Sequence, residues 1–157
     1  MDTKVVYREL LQFDMEVKDQ TDFFEKLAAI LYEKGYVKST YLDAVKLRES
    51  NYPTGLATEP YPVAIPHAEA ENINNPFIAL VRLKEPIEWC EMGTDPGESI
   101  LQIRLIFALG FQKGGDQIDI LQILAEKFSD ESLMESLMAA KTPDEYYDLV
   151  IKMLETE

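Results

Sequence analysis

The stretch that decides the fold is ILQIRLIFALG, residues 100–110. Apolar side chains alternate with Gln102 and Arg104 over its first half, which is the two-residue period of a strand that covers a core with one face. Its second half is apolar throughout, as expected of a strand that is covered on both faces in the middle of a sheet. The segment therefore predicts a central strand that ends at Gly110.

Further strands and helices are predicted on both sides of this segment. FIALVRL (77–83) and the shorter VAI (63–65) have the β-branched and apolar composition of strands. Helical spacing of apolar residues predicts two helices before the strands and three after them, at 19–35, 40–50, 118–128, 131–140 and 142–155. We predict an α/β three-layer sandwich, with a mixed central β-sheet flanked by helices on both faces, formed by a single domain over residues 1–157.

Capping residues indicate where two of these helices begin and end. Asp22 with Glu25 predicts a capping box in the first helix, and Gly35 predicts its end. Thr142 with Glu145 predicts a second capping box at the start of the last helix. For helix 40–50 we expect Thr40 as the cap and an apolar face made of three residues: Leu42, Val45 and Leu47.

The charge balance excludes several classes of partner. The formal net charge is −14, so phosphate backbones and anionic lipid surfaces would repel the protein, and we expect no nucleic acid partner. Cys90 is the single cysteine, which fits a reducing compartment. There is no signal-peptide pattern and no apolar run long enough to span a bilayer. These features predict a cytoplasmic protein without direct membrane insertion.

The single histidine, His67, lies in YPVAIPHAEAEN (61–72), where a short predicted strand runs into a polar loop. Functional groups often lie at such strand ends. A neutral imidazole with an ordinary pKa near 6.5 can act as a nucleophile at cellular pH. The alternative is a surface or turn histidine without a chemical role, and position alone favours that alternative.

Arg48 lies near the end of helix 40–50 and precedes a tight loop, ESNYPTG. This loop could bring Thr54 close to His67, and a guanidinium group recognises phosphate well because its fork matches two oxygens. The alternative is a solvated cation on a helix that also carries Lys46 and Glu49. Neighbouring positions of Arg48 and His67 in the fold would favour the functional interpretation.

Other chemistries have weaker support in the sequence. One histidine and one cysteine do not make a zinc site, so we expect no metal and no cofactor. Cys90 is interpreted as a small packed side chain. QKGGD (112–116) could bind an anion at a helix N-terminus, or it is a connecting turn with Asp116 as the cap. Three glutamates could support a hard cation near His67, although none has calcium-loop spacing: Glu59, Glu69 and Glu71.

Three spaced motifs of the chain resemble a known family. They are Arg48-Glu49, Thr54-Gly55 and Ile65-Pro66-His67, followed by the predicted strands at 77–83 and 100–109. This order is similar to the enzyme IIA domain of the fructose–mannitol class in the bacterial phosphoenolpyruvate:sugar phosphotransferase system. The resemblance runs from about residue 15 to about residue 153, and the motifs most resemble the galactitol-type branch.

The resemblance implies a phosphoryl-transfer mechanism. His67 would accept a phosphoryl group from the phosphocarrier HPr and pass it to a cysteine of the EIIB component. The ring nitrogen Nε2 would carry the group, with Nδ1–H held by a backbone carbonyl. Arg48 would hold phosphate charge, with Thr54 in a supporting role. Tyr52, Ile65, Pro66 and the turn at 112–117 would border the docking surface.

One position departs from the family pattern. Mannitol-type members have a second histidine where this chain has Gln117, a side chain that donates a hydrogen bond but does not titrate. Gln117 could still support the phosphoryl group, so Arg48 would carry more of its charge. Two other functions remain open: a nitrogen-type regulatory module whose histidine phosphorylation signals without sugar transport, and a binding domain in which His67 has no chemical role.

Overall fold

The structure is a computed structural model that describes residues 3–95, 97–112 and 117–155. Within these ranges, five strands and five helices follow one another in the order β1 (Gln12–Met15), α1 (Gln20–Glu33), α2 (Tyr41–Asn51), β2 (Gly55–Leu56), β3 (Val63–Ala64), β4 (Phe77–Cys90), β5 (Ile100–Gly110), α3 (Gln117–Lys127), α4 (Glu131–Ala139) and α5 (Pro143–Glu155). Three short 3-10 helices lie at Thr3–Val5, Arg8–Leu10 and Ala70–Asn72. No helix within the described ranges combines the length and apolar character needed to cross a membrane.

The five strands form one mixed sheet in the order β1-β4-β5-β3-β2. The long strands β4 and β5 pair antiparallel, while β1 joins β4 and β3 joins β5 in parallel. The short strand β2 pairs antiparallel with β3 at the edge. The segment at 100–110 is therefore the middle strand, as its apolar second half predicts.

Helices cover both faces of this sheet, which confirms the predicted three-layer sandwich. Side chains that alternate along β4 and β5 enter two separate cores. Ala79 and Val81 point toward α1 and α2, while Ile78 and Leu80 point toward α3, α4 and α5. Each face buries apolar surface, and that burial is the main favourable contribution to folding.

Strand β4 is longer than predicted, and two short strands were not predicted. β4 continues from Leu83 to Cys90, across Pro86, where its pairing with β5 shifts register. An irregularity of this kind lets a strand accommodate a proline that cannot donate to the ladder. QFDM and GL form β1 and β2, although each is too short to show a period of its own.

The ends of helix α1 correct one predicted cap. The predicted box of Asp22 with Glu25 is wrong, because the helix begins earlier and Asp19 is its N-cap. The Asp19 carboxylate accepts from the backbone N–H of Asp22, and the Asp22 carboxylate accepts from that of Lys18. Gly35 follows the helix with φ +85°, which confirms it as the residue that ends the helix.

Helix α2 differs from its prediction on the face that it buries. Thr40 precedes the helix but makes no side-chain capping bond, and Leu47 is 64% exposed. The buried residues are Tyr41, Val45 and Glu49, spaced four apart on one face. The predicted apolar face is therefore wrong at Leu47, because the core takes a glutamate on the adjacent stripe instead.

The C-terminal end of helix α4 is closed by an arginine from the sheet. Arg82 is 4% exposed, and its Nη1 donates to the backbone carbonyls of Leu137, Met138 and Ala140 at 3.1, 3.1 and 2.8 Å. Its Nε donates to Asp14 at 2.8 Å. These bonds satisfy carbonyl groups that a helix end leaves without intrahelical partners. At the start of α5, the Thr142 hydroxyl accepts from the backbone of Glu145, which confirms that cap.

Candidate functional site

His67 is held where strand β3 ends beside the end of β5. The backbone of His67 forms a parallel bridge to Leu109, whose N–H donates to the carbonyl of Pro66 at 2.9 Å. Pro66 is buried and the imidazole is half-buried. The sheet therefore fixes the backbone that carries this side chain.

The imidazole has a defined environment. Its Nδ1 lies 2.9 Å from the carbonyl oxygen of Ile65, and the ring contacts Phe111 edge-on with 6.4 Å between ring centres. Burial and the Arg48 charge lower the pKa of His67, while the bond to Ile65 and the Glu69 charge oppose that shift. A neutral imidazole that donates Nδ1–H to the carbonyl carries its lone pair on Nε2.

Arg48, at the end of α2, lies in the same cleft as His67. Its Nη1 donates to Glu69 Oε1 at 2.6 Å, and the guanidinium carbon lies 5.6 Å from the centre of the Tyr52 ring. Its Nε is buried and has no hydrogen-bond partner among the described residues. The fold thus makes Arg48 and His67 neighbours, which is the condition that favours the functional interpretation of Arg48.

Thr54 is 3% exposed, and both its hydroxyl and its backbone N–H donate to Glu49, at 2.7 and 2.6 Å. A third donor, Trp89 Nε1, reaches the same carboxylate at 2.9 Å. Glu49 is 4% exposed, so its side chain faces the core. Burial raises the pKa of Glu49, and the donors from Thr54 and Trp89 oppose that shift.

The cleft has a volume of about 260 Å³ and is formed by three chain segments. Its walls come from the end of α2 with the loop after it, from His67, and from the turn after β4: Arg48, Asn51, Tyr52, Pro53, Thr54, His67, Met92, Gly93 and Thr94. Met92, Gly93 and Thr94 were not predicted, because no motif marks that turn. The burial of Glu49 was not predicted either, because it depends on the hydrogen bond with the distant Trp89.

The other residues predicted near the site differ in their exposure. Ile65 is 5% exposed and Pro66 is buried, so neither borders an exposed docking surface, whereas Tyr52 is 66% exposed. The side chain of Gln117, the glycine turn at 113–115 and Asp116 lie outside the described residues. Cys90 is half-buried. Within the described ranges, no group of three or more acidic, histidine or cysteine side chains could hold a metal ion.

Comparison with known proteins identifies the family of the chain. Residues 4–153 match the family model described as "Phosphoenolpyruvate-dependent sugar phosphotransferase system, EIIA 2". The chain belongs to this EIIA family. The match spans all five strands and nearly the whole of α5. The family model describes EIIA components of a phosphoenolpyruvate-dependent sugar phosphotransferase system.

Curated relatives are similar at low identity. The chain is 28% identical over 130 residues to the transcriptional regulator ManR of Bacillus subtilis, covering 83% of this chain but 16% of ManR. It is 26% identical over 120 residues to the galactitol-specific EIIA component of Escherichia coli K12, covering 76% of this chain and 78% of that component. The chain also spans 22% of a fructose-specific EIIABC component of Bacillus subtilis, so it matches small parts of some larger relatives.

Solved structures share the fold. A PTS IIA described as PtxA from Streptococcus mutans superposes with a TM-score of 0.72 at 22% identity, covering 95% of this chain and 92% of that one. The IIA mannitol protein of Escherichia coli, in complex with phosphorylated IIB, gives 0.72 at 20% identity, covering 94% of each chain. The nitrogen regulatory protein IIA-Ntr of Neisseria meningitidis gives 0.68 at 25% identity, covering 94% and 97%.

Proposed function

We propose that the protein is a cytoplasmic phosphoryl carrier that accepts a phosphoryl group from phospho-HPr on His67 and passes it to a cysteine of an EIIB component. The observation that carries this proposal is the bond of His67 Nδ1 to Ile65, which leaves the Nε2 lone pair as the nucleophile in a cleft shared with Arg48. We propose that residues 1–157 act as one domain in this role.

In the first step, the Nε2 lone pair of His67 attacks the phosphorus atom of the donor phosphohistidine. A new N–P bond forms as the donor N–P bond breaks, and the donor imidazole leaves with the electron pair. Such a transfer needs in-line positioning and stabilisation of charge on the equatorial oxygens more than covalent help. The lowered pKa of His67 keeps the nucleophile neutral at cellular pH.

In the second step, a cysteine thiolate of EIIB attacks the phosphorus, an S–P bond forms, and the N–P bond to His67 breaks. The electron pair returns to Nε2, so the imidazole is regenerated. In Escherichia coli, a IIA mannitol protein of the same fold forms a complex with phosphorylated IIB, which supports an EIIB acceptor here.

Arg48 would supply the positive charge in both steps. Its guanidinium is paired with Glu69 in this structure, and it can exchange that carboxylate for phosphoryl oxygens because both present paired acceptors. Thr54 would act indirectly, because its hydroxyl and backbone N–H both donate to Glu49 and its carbonyl accepts from Ile65. Gln117 would add a hydrogen bond at most.

The sugar served is proposed from similarity alone. A galactitol-specific EIIA component is among the relatives, and the chain spans most of its length, so a sugar alcohol such as galactitol is our first candidate. A second candidate function is regulation by phosphorylation of His67 without sugar transport. The similarity to the ManR regulator and to the nitrogen regulatory IIA-Ntr favours that alternative.

A phosphorylation assay tests the proposal. The protein is incubated with phosphoenolpyruvate, enzyme I and HPr, and its intact mass is measured before and after acid treatment. We expect an acid-labile gain of one phosphoryl group that His67→Ala abolishes, and transfer about a hundredfold slower in Arg48→Ala. A folded wild-type chain that gains no mass with an active HPr would refute the proposal.

The acceptor separates the two functions. After phosphorylation, the protein is mixed with EIIB components of galactitol, mannitol and fructose type, and the loss of the phosphoryl group is timed. Rapid transfer to one EIIB cysteine supports sugar transport and names the class of sugar. Stable phosphorylation with no transfer to any of them supports regulation.

A further inference from the structure

An unbroken series of hydrogen bonds joins the buried carboxylate of Glu49 to the imidazole of His67. Glu49 Oε2 accepts from the backbone N–H of Thr54 at 2.6 Å. The carbonyl of Thr54 accepts from the N–H of Ile65 at 3.2 Å, and the carbonyl of Ile65 meets His67 Nδ1 at 2.9 Å. The series links helix α2, the residue before β2, and the segment after β3.

We propose that Glu49 is a positioning residue for His67, which holds Thr54 and Ile65 so that the Ile65 carbonyl receives Nδ1–H and Nε2 keeps its lone pair. The catalytic consequence rests on the proposed function, whereas the effect on the imidazole does not. Glu49 touches neither the ring nor the cleft, so it acts through the backbone of the two intervening residues.

The Glu49 carboxylate is built as a rigid anchor. Three donors converge on it, the backbone N–H and hydroxyl of Thr54 and the indole N–H of Trp89. A buried carboxylate lowers stability unless such donors compensate for its lost hydration. An apolar side chain would fill this helix position without the desolvation cost of a carboxylate. The carboxylate is therefore best explained by the hydrogen bonds that hold Thr54.

The far side of this anchor is fixed in the core. Trp89 is 1% exposed and packs against Phe23 and Phe24, with ring centres 5.9 and 5.5 Å apart. On the side toward His67, the residue after Thr54 is also fixed. Gly55 lies so close to β4 that a Cβ at this position would be 2.6 Å from the Cys90 carbonyl oxygen. The Thr54–Gly55 segment is therefore confined between the Glu49 carboxylate and the end of β4.

The consequence of this arrangement concerns the tautomer of the imidazole. If the Ile65 carbonyl moves, Nδ1–H loses its acceptor, and the proton can occupy Nε2 instead. An imidazole protonated on Nε2 presents no lone pair at the nitrogen that attacks phosphorus. A displacement of about 1 Å is enough to slow a positioned reaction about a hundredfold.

Nitrogen NMR of the uniformly labelled protein tests the inference without any partner. His67 is the only histidine, so the imidazole signals in each spectrum come from the two ring nitrogens of one residue. The wild type should show a protonated Nδ1 and an unprotonated Nε2 at neutral pH. Glu49→Gln places an amide N–H₂ group among the donors of Thr54 and Trp89. We expect this variant to shift the His67 tautomer population toward the Nε2-protonated form.

Further variants separate positioning from stability. Thr54→Val removes the hydroxyl and should shift the tautomer less than Glu49→Gln, while Thr54→Ser keeps the hydroxyl and should restore the wild-type spectrum. Val45→Ala is the matched control, because Val45 is buried on the same face of α2 without polar contacts. It should lower the melting temperature and leave the tautomer unchanged.

The phosphorylation assay adds a second readout. We expect Glu49→Gln to accept the phosphoryl group from phospho-HPr about 10- to 100-fold more slowly than Val45→Ala at matched stability. A folded Glu49→Gln protein with wild-type tautomer and rate would overturn the inference. If Glu49→Gln does not fold, a wild-type tautomer in Thr54→Val would overturn it. Absence of phosphorylation in the wild type refutes only the proposed function, because the tautomer is measured separately.

Discussion

Glu69 holds the guanidinium that a phosphoryl group on His67 would need. Its Oε1 is 2.6 Å from Arg48 Nη1, with 31% of the Arg48 side chain and 65% of the Glu69 side chain exposed. We expect Glu69→Gln to release Arg48 and to shift the phosphoryl equilibrium with phospho-HPr toward this protein by up to about fivefold, the range of an exposed ion pair.

The equilibrium is measured by quantifying both phosphorylated proteins on acid-free gels after mixing. Glu71→Gln is the control, because it removes one exposed acid close in the chain and tests net charge alone. Equal shifts in the two variants would show that the Arg48–Glu69 pair has no specific effect.

The pH dependence of phosphoryl acceptance should follow the His67 imidazole. Burial and Arg48 lower its pKa below the ordinary 6.5, so the neutral nucleophile persists to lower pH than in a free histidine. We expect the acceptance rate to be constant at neutral pH and to fall tenfold per pH unit below a midpoint under 6.5.

The midpoint also has a predictable response to substitution. Arg48→Ala removes a charge that lowers the pKa, so the midpoint should rise, whereas Glu69→Gln removes a charge that raises it, so the midpoint should fall. Imidazole titration by NMR checks the same values without a partner. A wild-type midpoint above 6.5 would contradict the buried, Arg48-facing environment.

Among the elements, helix α4 depends on one arginine from strand β4. Arg82→Met leaves the carbonyls of Leu137, Met138 and Ala140 without their donor, and two of these bonds are buried. An unsatisfied buried acceptor costs about 1–3 kcal/mol, so we expect the free energy of unfolding to fall by about 2–4 kcal/mol.

The matched control for this variant is Arg8→Met. Arg8 pairs with Asp144 at 3.0 Å on the surface, where 46% and 85% of the two side chains are exposed. Such pairs contribute about 0–1 kcal/mol, so urea denaturation should hardly change. Similar losses in both variants would mean that the α4 end does not depend on buried hydrogen bonds.

The elements that could be predicted from the sequence are those with a long period or a strong cap. The middle strand at 100–110, the helix at Pro143–Glu155 and the end of α1 at Gly35 each have such a local signal. Strands β1 and β2 have none, because four and two residues become strands only by pairing with a neighbour. The buried face of α2 was mispredicted for a similar reason. The Glu49 carboxylate can be buried because it accepts a hydrogen bond from Trp89, which lies 40 residues away in the sequence.

The candidate site was predictable to a similar degree. His67 and Arg48 could be predicted because each lies in a recognisable motif and has a side chain suited to phosphate chemistry. The fold brings both residues to one cleft. Their relation to Glu69 and Trp89 required the structure, because it depends on where β3 and β4 lie beside α2.

At the scale of the whole molecule, the net charge of −14 should govern encounter with partners. A donor with a basic docking face would attract this acidic protein over long distances. Such attraction speeds association and is screened by salt. We expect the second-order rate constant for transfer from phospho-HPr to fall roughly tenfold between low salt and about 0.5 M salt.

Stopped-flow transfer at several salt concentrations checks this prediction. Hydrolysis of isolated phosphorylated protein serves as the internal control, since it involves no encounter and should hardly respond to salt. A transfer rate independent of salt would mean that the acidic surface does not face the donor.

The strand order β1-β4-β5-β3-β2 also has a consequence for how the chain folds. β4 and β5 are consecutive and pair through a short connection, whereas β1 and β3 must join them from distant parts of the chain. Local pairings form with a smaller loop-closure cost than distant ones. We therefore expect the β4–β5 hairpin to form early and the pairing of β3 with β5, which places His67, to form late. If His67 is the phosphoryl acceptor that we propose, a partly folded chain would accept no phosphoryl group from the donor.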